Sequence, residues 1–357
     1  MRLCLNNIVS IPTFNHRHGV HVTKNLLIIL LVIFSFSSQA TNLINDERVT
    51  EQKNCFTWIF TDYDSWRNGM EKKFKRKINS EEKLKQTLAR FDSRFGKEKF
   101  DLYKTNLSCS TFEYLVDGNV VKGYIIKPKV STEKLPVLIY NRGGNGNFGG
   151  VVFGSMMNNL FPIANEGFVI IGSQYRGTFN SQSTAHDEFG GSDINDVIAL
   201  MDFIPSIEGA DAQRIGMYGA SRGGMQTHLA VKKVNNIKAI ATISSNSDLQ
   251  KGLTYRPEME KVYLHRIPNY EQNKVAELQK RSVLNWVSEL SPTMPILLIH
   301  GTNDKRVSVK HSMDLADALS TNNIPHKLVI YPEDNHFLDK NKETAEKELV
   351  NWFKDYL

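Results

Sequence analysis

Cysteine is scarce in this 357-residue chain, which contains only three such residues. That number excludes the disulfide-dense scaffolds of small secreted proteins. No cluster of His, Cys and carboxylate residues has the spacing of metal ligands, so a metal site is not expected, and no other cofactor is predicted. The sequence also lacks internal repeats and low-complexity linkers. Its 23% charged and 41% hydrophobic residues are ordinary for a globular protein, which excludes the disordered and fibrous classes.

Long apolar runs are also few. The longest, residues 26–36, is well short of the ~20 residues that a transmembrane helix needs, and it follows a basic leader without acidic residues. Ser38 and Ala40 then occupy the −3 and −1 positions of a cleavage site. We expect residues 1–40 to be a signal peptide that is cleaved near Ala40, with export to the periplasm or the exterior and no stable membrane insertion afterwards; a permanent anchor is the alternative. Cleavage would lower the formal charge from +6 to +3, which argues against a nucleic-acid partner.

Residues 41–111 are polar and rich in Lys and Arg, and we expect them to form an N-terminal helical segment. Within it Ser80, followed by two glutamates, is typical of a capped helix start. Export would leave Cys55 and Cys109 as an even pair in a compartment that permits disulfides. The pair can form a bond that ties the segment to the core, or the two can remain independent buried thiols. The sequence alone leaves both alternatives open.

From residue 112 onward the pattern changes to alternating strands and helices. Residues 111–128 predict a hairpin with a tight turn at Asp117 and Gly118, and six short apolar runs follow, of the kind buried in a parallel sheet. We therefore expect residues 112–357 to form one α/β domain with an eight-stranded, mostly parallel, doubly wound sheet. Residues 248–290 are too long for a simple connection and are predicted to form a helical lid excursion over the carboxyl edge of the sheet.

The sharpest chemical signal is GASRG, in which Gly219, Ser221 and Gly223 form G-x-S-x-G between an apolar strand and a helix. In that context the motif is a nucleophile elbow, a sharp turn that strains the serine and leaves no room for side chains two residues before and after it. The turn also places Ser221 at a helix N-terminus, where free N–H groups favour a developing negative charge. Ser221 is therefore the predicted nucleophile.

A serine nucleophile needs a base, and the base needs an acid to orient it. In this arrangement the chain order is Ser, then Asp or Glu, then His, each at a strand end. Asp304 follows the run PILLIHG and His336 follows HKLVIYPE, so we predict Asp304 as the acid and His336 as the base. Asp334 is a rival acid in the same loop as the histidine, and His300 is expected to contact the neighbouring loop.

The glycine-rich stretch YNRGGNGNFGG, residues 140–150, contains the G-x-G-x-x-G pattern of dinucleotide-binding turns. A dinucleotide fold needs an acidic residue at the end of the next strand, but that strand ends in GSQYRG. In a serine hydrolase this loop instead supplies an N–H of the oxyanion hole. We predict the backbone N–H groups of Gly143 and Arg222 as the oxyanion hole, with Gly144 as the neighbouring alternative to Gly143.

Six motifs together carry a resemblance to a known family: SQYRGT, DEFGGSDINDV, GASRGG, KRSVLNW, LLIHGTNDKRV and PEDNHF. Residues 135–357 resemble the catalytic domain of the prolyl oligopeptidase family of serine peptidases, which is built on the α/β-hydrolase fold. The resemblance implies Ser221 as nucleophile, Asp304 as acid and His336 as base, in agreement with the prediction from the residues themselves.

The chain also departs from that family's usual pattern. Its peptidases usually carry a large β-propeller before the hydrolase domain, and often an aromatic residue after the nucleophile and a tyrosine hydroxyl in the oxyanion loop. Here a helical segment precedes the hydrolase domain, Arg222 follows the nucleophile, and Arg142 lies in the oxyanion loop near the place of the tyrosine. Tyr140 could instead supply a hydroxyl. A preference for proline is therefore unsupported.

The sequence predicts an exported serine hydrolase, and it favours a peptidase that cleaves peptide or amide bonds through an acyl-enzyme. A carboxylesterase or deacetylase that acts on small esters with the same triad is the alternative, and an intact Ser, Asp and His disfavour a catalytically silent binding protein. The lid excursion, with Tyr255, Arg256, Tyr263 and Arg266, is expected to roof the site. Its basic residues would favour acidic groups on the substrate or form a solvated surface.

Overall fold

The fold is described by a computed structural model that covers residues 42–180 and 183–357. The signal peptide predicted over residues 1–40 lies outside these described residues. A nine-stranded sheet has the strand order β1-β2-β3-β5-β4-β6-β7-β8-β9. The strands are β1 Val49–Asn54, β2 Leu107–Val116, β3 Asn119–Pro128, β4 Leu135–Asn141, β5 Val169–Ser173, β6 Ala210–Ala220, β7 Ala239–Ile243, β8 Ile296–Gly301 and β9 His326–Tyr331.

The sheet is mostly parallel, as the apolar runs predicted. The pairs β4·β5, β4·β6, β6·β7, β7·β8 and β8·β9 are parallel, whereas β1, β2 and β3 pair antiparallel with their neighbours. The predicted hairpin is confirmed, with β2 and β3 joined at Asp117 and Gly118. Both faces of the sheet are covered, because in β4 Val137 and Ile139 belong to one apolar cluster and Leu138 to the other.

Helices cover the two faces. They are α1 Tyr63–Lys75, α2 Glu81–Phe95, α3 Lys97–Asn106, α4 Phe153–Ser155, α5 Phe161–Asn165, α6 Ile194–Ile198, α7 Arg222–Val231, α8 Leu249–Tyr255, α9 Met259–Arg266, α10 Tyr270–Arg281, α11 Lys310–Thr321 and α12 Lys342–Tyr356, with a π-helix at Met156–Leu160 between α4 and α5. Short 3-10 helices lie at Trp58–Phe60, Ala199–Ser206, Val283–Asn285 and Val287–Glu289. In the part of the chain that the structure describes, no helix combines the length and the apolar character needed to cross a membrane.

The edge strand β1 was not predicted. It pairs with β2 and makes the sheet nine strands wide instead of eight. Only Val49 in it is buried, so a strand with the sequence VTEQKN carries no apolar alternation from which it could be predicted. A disulfide between Cys55 and Cys109 holds the end of β1 to β2, which decides between the two alternatives for these cysteines. Because β2 starts at Leu107, the predicted domain boundary after residue 111 falls inside a strand.

Helices α1 to α3 pack on the sheet through an aromatic cluster. The ring of Trp66 lies 4.8 Å from that of Phe91, 4.7 Å from Phe95 and 5.1 Å from Phe153. The predicted cap of α2 is confirmed, because Ser80 Oγ accepts a hydrogen bond from the N–H of Lys83 at 3.3 Å. The aromatic contacts fix the C-terminal end of α2 beside α4.

The predicted excursion contains α8, α9 and α10. It leaves the sheet after β7 and returns at β8, and its helices contribute Leu249, Met259 and Tyr263 to the wall of a cavity at the carboxyl edge of the sheet. Ser221 and His336 line the same cavity.

Candidate active site

Ser221 lies in the turn between β6 and α7, as the elbow motif predicted. Its backbone angles are φ 57° and ψ −126°, a left-handed conformation that is strained for a residue with a side chain. A Cβ on Gly219 would collide with the backbone of Gly223, and a Cβ on Gly223 would collide with the carbonyl oxygen of Asn141. The two glycines are therefore a steric requirement of the turn.

Asp304 and His336 meet at the ends of adjacent strands β8 and β9. The imidazole Nδ1 of His336 lies 2.7 Å from Asp304 Oδ2, and the carboxylate side chain is fully buried. Burial alone would raise the pKa of Asp304, but hydrogen bonds from His300 and His336 and the charge of His336 hold it well below its ordinary range. Asp304 is consequently ionised and holds the Nδ1–H tautomer of His336, which leaves Nε2 free to accept a proton.

Asp304 is itself fixed by its surroundings. Its other oxygen, Oδ1, accepts backbone N–H bonds from Arg306 at 2.7 Å and Val307 at 3.0 Å. The buried ring of His300 places Nε2 3.2 Å from Asp304 Oδ2 and 3.0 Å from the carbonyl oxygen of Val307. Both neighbours are acceptors, so His300 Nε2 carries the proton. The expectation that His300 contacts the neighbouring loop is confirmed.

The rival acid Asp334 has a different position. It is buried and accepts hydrogen bonds from the backbone of Asn335, Lys340 and Asn341, and it makes no hydrogen bond to His336 among the described residues. Asp334 therefore stabilises the loop that carries the histidine.

Ser221 and His336 line one cavity of about 650 Å³. Among the described residues, the Ser221 hydroxyl has no hydrogen-bond partner. The structure therefore joins the acid to the base and places the serine on the wall of the same cavity, without a bond to the histidine. Hydrogen bonds of this kind commonly shorten only when substrate binds.

Gly143 lies directly against the nucleophile turn. A Cβ on Gly143 would be 3.0 Å from the carbonyl oxygen of Ala220 and 3.2 Å from Ser221 Cβ. Within the described chain, the backbone N–H groups of Gly143 and Arg222 donate no hydrogen bond. Two unused donors on either side of a serine are what stabilisation of an oxyanion requires.

Arg142 is the main feature that the sequence analysis missed. Its guanidinium is fully buried and donates to the carbonyl oxygens of Gly143 at 3.0 Å, Gly146 at 2.8 Å, Phe148 at 3.2 Å and Gln174 at 2.6 Å. The side chain thus ties the glycine-rich loop to itself and to the end of β5. Arg142 fixes the position of the loop; its own head group is saturated by carbonyl oxygens.

The Arg222 side chain is neutralised by two acids that the sequence analysis also missed. Its guanidinium contacts Asp187 at 2.8 Å and Asp193 at 2.5 Å, and it lies 4.8 Å over the ring of Tyr175 and 4.7 Å over that of Phe189. Both acids belong to the motif DEFGGSD, and Arg222 follows Asp193 by 29 residues in the sequence. Spacing along the chain therefore gave no sign of the pair.

The glycine-rich loop is not arranged for a phosphate. The N–H of Gly146 donates to Asp187 at 2.6 Å, and that carboxylate would repel a pyrophosphate at the same place. Among residues 42–180 and 183–357, no cluster of three or more His, Cys, Asp or Glu could hold a metal ion.

The four lid residues named from the sequence divide into two groups. Arg256 and Tyr263 line the cavity, and Arg256 is paired with Glu258 at 2.8 Å. Tyr255 donates its hydroxyl to the carbonyl oxygen of Asp304 at 2.7 Å, and Arg266 approaches Asp187 at 3.7 Å. The lid thus touches both the cavity and the loop that holds the acid.

The order of the strands in the sheet, the nucleophile elbow at Ser221, and Asp304 and His336 after successive strands together define an α/β-hydrolase fold. The sequence profile described as the prolyl oligopeptidase family matches residues 154–357, more than half of the chain. The chain therefore belongs to the prolyl oligopeptidase family, a family of serine peptidases, as the motifs predicted.

Individual relatives agree with this assignment. The chain is 26% identical over 262 residues to the uncharacterized peptidase YtmA of Bacillus subtilis, covering 72% of this chain and 98% of that protein. It is 25% identical over 279 residues to acylamino-acid-releasing enzyme 1 of Oryza sativa subsp. japonica, covering 72% of this chain and 35% of that enzyme. Apart from YtmA, the chain thus spans about a third of the length of such relatives.

A solved structure shows the same fold. The acylaminoacyl peptidase of Pyrococcus horikoshii superposes with a TM-score of 0.60 at 21% identity, covering 72% of this chain and 43% of that one. The relatives are peptidases and acylamino-acid-releasing enzymes, so the comparisons favour a peptidase over the esterase or deacetylase alternative.

Proposed function

We propose that this protein is an exported serine peptidase that hydrolyses amide bonds of N-blocked peptides or acylamino acids. Ser221 is the nucleophile, His336 the general base and Asp304 the acid that orients it, and the N–H groups of Gly143 and Arg222 form the oxyanion hole. The observation that carries the proposal is the 2.7 Å contact between His336 Nδ1 and Asp304 Oδ2 at the cavity that Ser221 lines.

The proposed reaction has two stages. Ser221 Oγ attacks the amide carbonyl while His336 Nε2 takes the hydroxyl proton, and the tetrahedral oxyanion forms against the two N–H groups. The imidazolium then gives that proton to the amide nitrogen as the C–N bond breaks, which leaves an acyl ester on Ser221. Water attacks the ester with His336 again as base, and the carboxylic acid leaves. Asp304 stays ionised throughout, consistent with its lowered pKa.

The preference for a blocked N-terminus rests on charge. Among the described residues, no Asp or Glu lines the cavity, and the acids that neutralise Arg222 and Arg256 lie outside its wall. A free α-ammonium group would enter this cavity without a carboxylate to pair with, and an unpaired charge is costly to desolvate. An acylated nitrogen carries no such charge.

Export is supported by the leader sequence and by the disulfide. Cys55 and Cys109 are bonded, and disulfides persist mainly in oxidising compartments. The mature protein should therefore begin after Ala40 when its N-terminus is sequenced from the producing cell. A cytosolic product that retains residue 1 would contradict this part of the proposal.

A substrate panel tests the activity. Purified protein is given N-acetyl aminoacyl amides, the same amides with a free amino group, and short acyl esters. We expect kcat/KM for the N-acetyl amides to exceed that for the free amines by at least about tenfold, because desolvation of the unpaired ammonium costs about 1.4 kcal/mol or more. Ser221→Ala should abolish turnover, and Ser320→Ala, which changes an exposed serine of α11, should not. Faster cleavage of the free-amine series would refute the proposed selectivity, and turnover by Ser221→Ala would refute the mechanism.

A further inference from the structure

A second cavity, of about 670 Å³, lies beside the one that contains Ser221. Its walls come from the end of α2, from α5, from the sheet and from α12. They are mainly apolar, with side chains from Phe95, Ile163, Tyr218, Ile243, Leu338 and Leu349. The volume falls in the range of small-molecule sites and exceeds what one large apolar side chain needs.

The two cavities meet at the proposed base. Tyr140, Ser155, Asn159, Ala220, His336 and Phe337 line both of them, whereas Ser221, Gly143 and Arg222 line only the first. His336 therefore belongs to the wall that the two cavities share, and the oxyanion donors line only the first cavity.

This division assigns a role to each cavity. In acyl transfer, the carbonyl of the acyl group stays at the oxyanion donors, while the leaving group lies next to the imidazole that protonates it. We propose that the second cavity binds the leaving group, and that the preferred leaving group is an amine component with a large apolar side chain, such as an aromatic amino acid. This inference rests on the proposed function, because it needs His336 as the proton donor.

The charged side chains of the second cavity do not oppose the binding of an apolar leaving group. Arg94, Asp339, Lys342 and Glu346 line the cavity, two of each sign, and Lys342 is paired with Glu346 at 2.6 Å. The charges are balanced, so the apolar walls determine what binds.

The N-terminal segment gains a function from this arrangement. Phe95 lies at the end of α2 and is held by the ring of Trp66 at 4.7 Å and of Phe91 at 4.8 Å. The aromatic cluster of α1 and α2 thus builds one wall of the leaving-group site.

Acyl transfer to added amines tests the site directly. The enzyme is acylated with p-nitrophenyl acetate, and phenylalaninamide or glycinamide competes with water for the acyl-enzyme. The amine nitrogen attacks the ester carbon, His336 takes the proton of the amine, and Ser221 Oγ leaves with that proton, giving an N-acetyl amino acid amide. By microscopic reversibility the attacking amine occupies the leaving-group site.

We expect phenylalaninamide to capture the acetyl group at least about tenfold more efficiently than glycinamide, the discrimination that an apolar pocket gives. Ala345→Leu, which adds bulk from α12 to this cavity, should reduce the ratio below about threefold. Ala316→Leu, at a similarly buried alanine of α11 outside the cavity, is the matched control and should retain it.

The outcomes separate the two proposals. Equal capture of both amines by the wild-type protein, with continued release of p-nitrophenol, would overturn the leaving-group site and leave the mechanism intact; this result does not depend on any variant folding. An unchanged ratio in a folded Ala345→Leu would also overturn the site. Absence of p-nitrophenol release from the wild-type protein would overturn the proposed function itself.

Discussion

Replacement of Asp304 by asparagine should nearly abolish activity while leaving the fold intact. The side-chain amide of the asparagine can adopt only one orientation, because Oδ1 of Asp304 accepts hydrogen bonds from the backbone N–H groups of Arg306 at 2.7 Å and Val307 at 3.0 Å. Its amide oxygen must keep those two bonds, so its NH2 group faces His300 and His336. An NH2 group cannot accept a hydrogen bond from either ring.

The consequence is a change of tautomer. His336 Nδ1, 2.7 Å from the replaced oxygen, would accept a hydrogen bond from the asparagine, and its proton would move to Nε2. An imidazole protonated at Nε2 cannot take the proton of Ser221. In serine protease triads this change costs about 10⁴-fold in kcat, or about 5.5 kcal/mol of transition-state stabilisation, and we expect a loss of that order in steady-state amide hydrolysis.

Asp334→Asn is the matched control. Asp334 is equally buried and lies in the histidine loop, but it bonds the backbone of that loop, so its replacement should reduce kcat less than tenfold. If Asp304→Asn retained activity within tenfold of the wild-type protein, or if Asp334→Asn lost as much as Asp304→Asn, the assignment of the acid would be refuted.

Three further predictions concern the loop, the core and the disulfide. Arg142→Lys should lower kcat about 10- to 100-fold in amide hydrolysis, because an ammonium cannot bond all the carbonyls that hold the loop of Gly143; an unchanged kcat would contradict this role. Burial lowers the pKa of His228 from 6.5 to about 4. As the pH falls, the unfolded state therefore binds this proton before the folded state does. The contribution of this group should lower the free energy of unfolding, measured in urea, by about 2 kcal/mol between pH 7.5 and pH 5. His228→Gln should show a correspondingly shallower pH dependence, and an equally steep one would exclude this histidine as the cause. Reduction of the Cys55–Cys109 bond, which joins residues 54 apart, should lower the free energy of unfolding by about 4 kcal/mol; identical urea midpoints for the reduced and oxidised protein would refute that estimate.

The sequence was sufficient for the parts that depend on local patterns. Gly219 and Gly223 could be assigned because the elbow leaves no room for a Cβ. Asp304 and His336 could be paired because parallel strands bring their carboxyl ends to one edge of the sheet. The contacts that the sequence analysis missed are those without a local signal. The ion pairs of Arg222 with Asp187 and Asp193 join residues far apart in sequence.

The partners of Arg142 also could not be predicted from the sequence. Its buried guanidinium bonds backbone carbonyls, and a carbonyl is present at every residue, so no residue type in the sequence identifies the partner. Likewise, β1 lies at the edge of the sheet and exposes most of its side chains, which removes the alternation from which a strand is predicted. The second cavity was missed because it is formed by α2, α5 and α12, which are widely separated in the chain.

Reaction with a fluorophosphonate probe, followed by peptide mapping by mass spectrometry, is the strictest test of Ser221 as an activated nucleophile. A fluorophosphonate phosphonylates a serine only when a base activates it and an oxyanion site receives the phosphoryl oxygen. If Ser221 is the activated nucleophile, one adduct per chain forms on the peptide that contains Ser221, and folded Asp304→Asn is labelled much more slowly. A folded protein that stays unlabelled, or an adduct on another serine, would contradict this assignment.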